Sequence, residues 1–143
     1  MRDLPTVVFD TNVIEAALRS RRGASFALLS MAGTGRFEIA VSVPLVCEYQ
    51  DVLMRQVARG AREESTVTDV VDYLCSIAKR QSIFFLWRPW LTDPKDDMIL
   101  ELAVAANCDA IVTHNRRHLR AARDFGIRVL SPAEFYAELK GES

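Results

Sequence analysis

The segment Thr6-Val7-Val8-Phe9-Asp10-Thr11-Asn12-Val13-Ile14-Glu15-Ala16-Ala17-Leu18 decides the architecture. Its first four residues are a β-branched and aromatic run that reads as a buried strand. The run stops at the polar, cap-forming Asp10-Thr11-Asn12, and helical spacing of apolar residues follows at once. A strand that passes directly into a helix is the opening of a βαβ unit, and the rest of the chain repeats the alternation. A second helix is expected from Ala24 to Ala32, stopped by Gly33-Thr34-Gly35, and a strand over Phe37 to Val41. Ser42-Val43-Pro44 then opens a long helix to about Ala58, with Ser42 as cap.

After a polar connection from Arg59 to Ser65, helical periodicity resumes from Val67 to Arg80, and Ile83-Phe84-Phe85-Leu86-Trp87 reads as the third strand. A loop at Arg88-Pro89-Trp90 leads to Asp93, which is expected to cap a helix with Pro94 in its first turn and its end near Ala106. Ala110 to Thr113 is the fourth strand, Leu119 to Phe125 a short helix stopped by Gly126, Ile127 to Leu130 the fifth strand, and Ser131-Pro132 the start of a last helix ending near Lys140. Strands alternating with helices predict a parallel sheet covered on both faces.

Composition bounds the function. With 143 residues and 50% hydrophobic side chains, one domain with a full apolar core is expected. No apolar run is long enough to span a bilayer, and Met1-Arg2-Asp3-Leu4-Pro5 enters a strand-like segment without a signal-peptide pattern, so a cytoplasmic protein with no membrane partner is expected. Cys47, Cys75 and Cys108 are an odd number, lie far apart and each sit in an apolar stretch; they read as buried free thiols, supporting neither zinc nor a disulfide framework. The net charge of −1 hides a segregation. Setting aside the carboxylates Asp10, Glu48, Asp97 and Glu101 leaves 18 basic against 15 acidic side chains, and 15 of the 18 are Arg. They run at Arg19-Ser20-Arg21-Arg22 and at Arg116-Arg117 through Arg120 and Arg123, which suits phosphate contacts and equally suits a solvated helix face.

Several carboxylates stand where apolar residues are expected. Asp10 ends an apolar strand at the carboxyl edge of the sheet, where open α/β folds bind ligands, although an N-cap role would also explain it. Glu48, three after Leu45 and four before Val52, lies on or beside the apolar stripe of its helix, where a charge is costly unless it is salt-bridged or metal-bound. Asp97 and Glu101, four apart, share one face of a helix whose other faces are apolar, and a cation between or near them is the economical explanation. Asp93 and Asp96 read as cap residues that complement the helix dipole. Asn115, at the end of the fourth strand, offers a neutral oxygen to a metal-bound water or to phosphate, or is a turn residue. His114 and His118 are four apart without the glutamate of an H-E-x-x-H pattern, which disfavours a zinc pair. Hard oxygen donors without thiolates favour Mg²⁺ or Mn²⁺, bound as one ion or two, and the chemistry such a site serves is phosphodiester hydrolysis.

Four motifs in this order, Val8-Phe9-Asp10-Thr11-Asn12-Val13, Ser42-Val43-Pro44-Leu45-Val46-Cys47-Glu48-Tyr49, Asp93-Pro94-Lys95-Asp96-Asp97-Met98-Ile99-Leu100-Glu101-Leu102-Ala103 and Ile111-Val112-Thr113-His114-Asn115, resemble the PIN-domain family, and more closely its bacterial toxin branch, the VapC-like toxins of toxin–antitoxin modules. The resemblance covers nearly the whole chain. It implies a single PIN-like nuclease domain over residues 1–143, a three-layer α/β/α sandwich with a five-stranded parallel sheet, Mg²⁺- or Mn²⁺-dependent endoribonuclease activity on an RNA substrate, a homodimer, and inhibition by a small antitoxin protein.

By motif match Asp10, Glu48 and Asp97 take the three acidic positions and Asn115 stands where many members carry a fourth acid. Glu101 is a secondary metal ligand, and His118 occupies a position where aspartate is common. A haloacid-dehalogenase-like phosphatase is disfavoured because Asn12 stands where its second aspartate belongs, and a dinucleotide-binding domain because no G-x-G-x-x-G follows a strand. The alternative from another class is a catalytically silent PIN-like module that binds RNA or a protein partner.

Overall fold

A computed structural model of the chain describes residues 4–83 and 93–141. The elements are β1 (Thr6–Phe9), α1 (Thr11–Arg19), α2 (Ala24–Met31), β2 (Glu38–Val41), α3 (Val43–Ala58), α4 (Glu64–Ile77), β3 (Lys79–Arg80), α5 (Pro94–Ala105), β4 (Ala110–Val112), a 3-10 segment (Arg116–Phe125), β5 (Arg128–Leu130) and α6 (Pro132–Gly141). The strands form one five-stranded sheet in the order β3-β2-β1-β4-β5, and every pairing is parallel. Helices flank this sheet, giving the α/β/α sandwich expected from the alternation.

The strand order places the site. From β1 the chain winds outward through β2 to β3, then returns to the other side of β1 for β4 and β5. The reversal leaves β1 and β4 adjacent with their connections departing in opposite directions, and the crevice at their carboxyl ends is the ligand position of open parallel sheets. β1 and β4 are buried along their whole length, as a sheet covered on both faces requires. Around them Phe9, Phe37 and Phe135 stack as tilted and edge-on rings, with centroids 5.9 and 5.2 Å apart along the series.

Local chemistry sets the helix starts. Ser42 accepts a hydrogen bond at its hydroxyl from the Leu45 amide at 3.3 Å, and Asp93 accepts one from the Lys95 amide at 2.9 Å, so both expected caps are made. Gly33 ends α2 in the left-handed region at φ +82°, and a Cβ there would meet the Tyr73 hydroxyl and Ile77 Cγ2 at 2.9 Å. The close approach lets Tyr73 donate its hydroxyl proton to the Ala32 carbonyl at 2.6 Å, which fastens α2 to α4.

Three expectations need correction. Helical periodicity predicts a helix running to Arg80, but α4 stops at Ile77, and Lys79-Arg80 pair with Ala40-Val41 as β3. Both residues are exposed, and a short edge strand needs one row of backbone bonds and no apolar alternation, so it leaves no sequence signal. Ile83 lies outside any strand, while Phe84 to Trp87 and the loop at Arg88-Pro89-Trp90 lie outside the described residues. Secondly, the helix expected at Leu119 is a 3-10 segment that begins at Arg116 and breaks at Leu119. Thirdly, of the cysteines expected to be buried only Cys108 is; Cys75 is half-buried and Cys47 faces solvent from the outer side of α3. Among the described residues no helix is long and apolar enough to cross a membrane.

Candidate active site

The carboxyl end of β1 is locked to that of β4. Asp10 donates its amide proton to the Val112 carbonyl at 2.9 Å, and Thr113 in turn donates its own to Leu130 at 2.9 Å. Asp10 occupies the N-cap position of α1 but makes no side-chain cap bond to that helix. Its Oδ2 instead accepts from the fully buried Thr113 hydroxyl at 2.7 Å and from Asn12 Nδ2 at 3.3 Å. Asn12 completes the junction, its Oδ1 accepting from the His114 amide at 3.2 Å, while the Thr113 hydroxyl oxygen accepts from the Asn115 amide at 3.0 Å. Thr113 and Asn12 are the positioning residues that motif reading did not single out. Their signal was present as short polar side chains at the ends of neighbouring apolar strands.

Burial pushes the Asp10 carboxyl above its ordinary value; the Thr113 hydroxyl and Thr11 amide oppose the shift, and the charge of Glu48 reinforces it. Glu48 comes from α3, whose buried stripe is Leu45, Tyr49 and Leu53. The Tyr49 hydroxyl donates to the Phe9 carbonyl, which ties α3 under the end of β1 and brings the next residue back, Glu48, into the field of Asp10. The Glu48 side chain is 11% exposed and pairs with the Lys95 ammonium at 3.2 Å. The salt bridge weighed for Glu48 therefore exists, and its partner is a lysine from the first turn of α5.

That turn also holds the clearest correction. Asp93 does cap α5, whereas Asp96, read as a second cap residue, sits half-buried within the field of Asp10. Burial first, then Asp10 and Asp93, and more weakly Asp97, push its carboxyl up to about 6 against the pull of His118. A dipole explanation satisfies any acid in a first turn, and so it masked this one. The usable signal was that Asp93-Pro94-Lys95-Asp96-Asp97 carries more acids than one helix end needs. Asp97 is half-buried and Glu101, four residues on, is buried on the same helix. Asn115 is exposed at the start of the 3-10 segment and accepts from the His118 amide at 3.1 Å through its backbone carbonyl. The His114 ring lies 3.1 Å from the buried Ser25 hydroxyl, and His118 faces the charge of Asp96, so the two rings serve different neighbours.

Among the described residues no three acid, histidine or cysteine side chains converge tightly enough to form a ready ligand set. The donor chemistry nonetheless fits a hard divalent cation. Asp10 and Asp96 are both held above their ordinary values, first by burial and then by a neighbouring acid, Glu48 for Asp10 and Asp10 itself for Asp96, and Lys95 already brings a positive charge to Glu48. A cation at this edge would remove the repulsion that raises both carboxyls.

A doubly wound parallel sheet with carboxylates gathered about its switch point defines a class of α/β proteins that bind ligands there. Within that class a profile of the PIN domain family matches residues 6–117, and the chain belongs to this family. Its fold is similar to a chain in the crystal structure of VapBC2 from Rickettsia felis bound to a DNA fragment from their promoter, with a TM-score of 0.57 and 14% identity over 88% of this chain and 98% of that one. No curated protein matches the sequence.

Proposed function

We propose that this chain is a metal-dependent endoribonuclease that hydrolyses RNA phosphodiester bonds and serves as the toxin of a toxin–antitoxin module. The observation that carries the reading is the Asp10 carboxylate: desolvated at the switch point, aimed by Thr113 and Asn12, and sharing its field with Glu48 and Asp96. Its side-chain partners are the neutral Thr113 and Asn12, with no cation bonded to it among the described residues, and the charge of Glu48 adds to its shift. PIN domains are generally nucleases that use divalent ions, and the VapBC2 neighbour joins a like fold to an antitoxin. A small antitoxin, a homodimer, a cytoplasmic location and a single domain over the whole chain complete the proposal.

Asp10, Glu48 and Asp97 would hold Mg²⁺ or Mn²⁺, with Asp96 added to the set and Glu101 behind it as a secondary ligand. The ion would activate water and offset charge on the phosphate. The chain's own residues do the rest. Thr113 fixes the Asp10 carboxylate, Asn12 braces the junction of β1 with β4, and Asn115 at the rim offers an amide to a phosphate oxygen or to the attacking water. Lys95, released from Glu48, is a cation within reach of the same edge.

The test is cleavage of structured and single-stranded RNA by purified protein with Mg²⁺, with Mn²⁺ and with EDTA, beside Asp10→Asn, Glu48→Gln and Asp97→Asn. Metal-dependent cleavage nearly abolished in each folded variant is expected; full activity in any two of them overturns the assignment. The Glu48–Lys95 pair favours a second reading, a silent module that binds RNA or a protein partner, which folded wild-type protein inactive on a broad RNA panel would support.

A further inference from the structure

The 3-10 segment Arg116–Phe125 carries two stripes. Leu119 and Ala122 are buried and anchor it, while Arg117, Arg120 and Arg123, also three apart, are exposed. In a 3-10 helix residues three apart eclipse one another, so Arg120 and Arg123 stack on one face, with Arg117 across the break at Leu119. All three line a groove of about 550 Å³ whose wall also includes Asn115 and His118, so it opens at the edge where Asp10 sits.

These arginines differ from their neighbours. Arg116 is committed to both oxygens of Glu134 at 3.0 Å and Arg128 to Glu138 at 2.8 Å, whereas Arg117, Arg120 and Arg123 have no carboxylate partner among the described residues. The one acid in the segment, Asp124, is not part of the groove wall. One wall arginine, Arg116, is thus tied to Glu134, and the three others along the groove leave a positive surface suited to an external polyanion.

We propose that this groove is the strand-tracking part of the active site: Arg117, Arg120 and Arg123 bind successive phosphates of a single-stranded RNA that passes from the Asp10 edge along the 3-10 segment. The proposal rests on the ribonuclease reading above. A row of guanidinium groups beside the reacting edge, with no apolar pocket between them, recognises a backbone and leaves the bases free. An acidic protein segment would offer carboxylates in place of phosphates, and its binding is the competing outcome.

The experiment measures anisotropy of a fluorescein-labelled, 2′-O-methyl single-stranded oligonucleotide against wild type in EDTA over a salt series. It compares Arg117→Gln/Arg120→Gln/Arg123→Gln with the control Arg128→Gln, all verified as folded by circular dichroism. The triple variant is expected to bind at least about tenfold more weakly at low salt, and to lose about 2 from the slope of log affinity against log salt, since each phosphate neutralised on a single strand contributes about 0.7. Arg128→Gln is expected to match wild type. An unchanged slope in the triple variant overturns the proposal, as does an equal loss in Arg128→Gln. Arginine-dependent binding of polyglutamate by a wild-type protein that ignores the oligonucleotide also overturns it. The two readings separate cleanly. Wild type that cleaves RNA while the triple variant binds and cleaves equally well loses only the groove; wild type that binds through the arginines yet never cleaves loses only the nuclease.

Discussion

At Asp96 a single carboxyl reports the electrostatic state of the whole edge. Its value is raised, so the folded chain holds that proton more tightly than the unfolded chain does, and ionisation costs stability. The penalty is absent below pH about 3.8, grows as pH rises toward 6, and is complete above it. Asp96→Asn removes it. In EDTA the variant is expected to melt higher than wild type at pH 7.5, by roughly 1 kcal/mol once screening of this half-exposed group is allowed for, and to converge on wild type near pH 4. A constant difference across that range in thermal melts would show that Asp96 does not sit in the field of Asp10. Lys95 makes the complementary case. It neutralises Glu48 as a divalent ion would, so Lys95→Met is expected to bind Mn²⁺ more tightly by roughly fivefold, the worth of one partly exposed pair. Calorimetric titration checks this, and weaker binding by the variant would make Lys95 a helper of the ion instead of its rival. The placement of Asp10 and Glu48 was legible in the sequence, because one ends a buried apolar strand and the other stands beside the apolar stripe of its helix. Asp96 and Lys95 interrupt nothing; a helix start is polar by nature, and only the packing of α5 against β1 shows what they face.

The elements divide in the same way. β1, β2, β4, α3 and α5 follow from runs of apolar residues and from caps whose hydrogen bonds are made as expected. β3 did not, because two exposed basic residues at a sheet edge carry no periodicity, and the 3-10 segment did not, because a three-residue repeat in Leu119, Ala122 and the arginines is too close to helical spacing to be told apart over so short a length. The α2–α4 contact depends on a turn of the kind that sequence does mark. Gly33→Ala forces a side chain into the left-handed region and against Tyr73 and Ile77, and is expected to destabilise the protein by about 1–3 kcal/mol. Urea unfolding measures it; a loss under 0.5 kcal/mol would mean that α2 shifts freely on α4.

For the whole molecule, the fold class and the parallel pairing of the strands were readable from the alternation, while one of the five strands, β3, lies at a different segment from the one expected; the PIN family match agrees with the fold class. The exchange of charge at the site should also be felt globally. An ion that binds only the folded chain stabilises it in proportion to the logarithm of its concentration over its dissociation constant, so Mn²⁺ at about a hundredfold excess over that constant is expected to add about 2.7 kcal/mol to wild type and nothing to Asp10→Asn. Thermal melts over a Mn²⁺ series test this, and equal shifts in both proteins would place the bound ion elsewhere.

The switch point also governs when the site comes into being. Asp10 is made at the start of the chain, Glu48 a third of the way along and Asp96 two thirds, but the Thr113 hydroxyl that aims Asp10 arrives with β4, a strand that inserts beside β1 only after β2 has been laid down. Pairings of such long sequence separation form late. A nascent chain halted before Thr113 therefore carries every acid of the set and no clamp for the first of them.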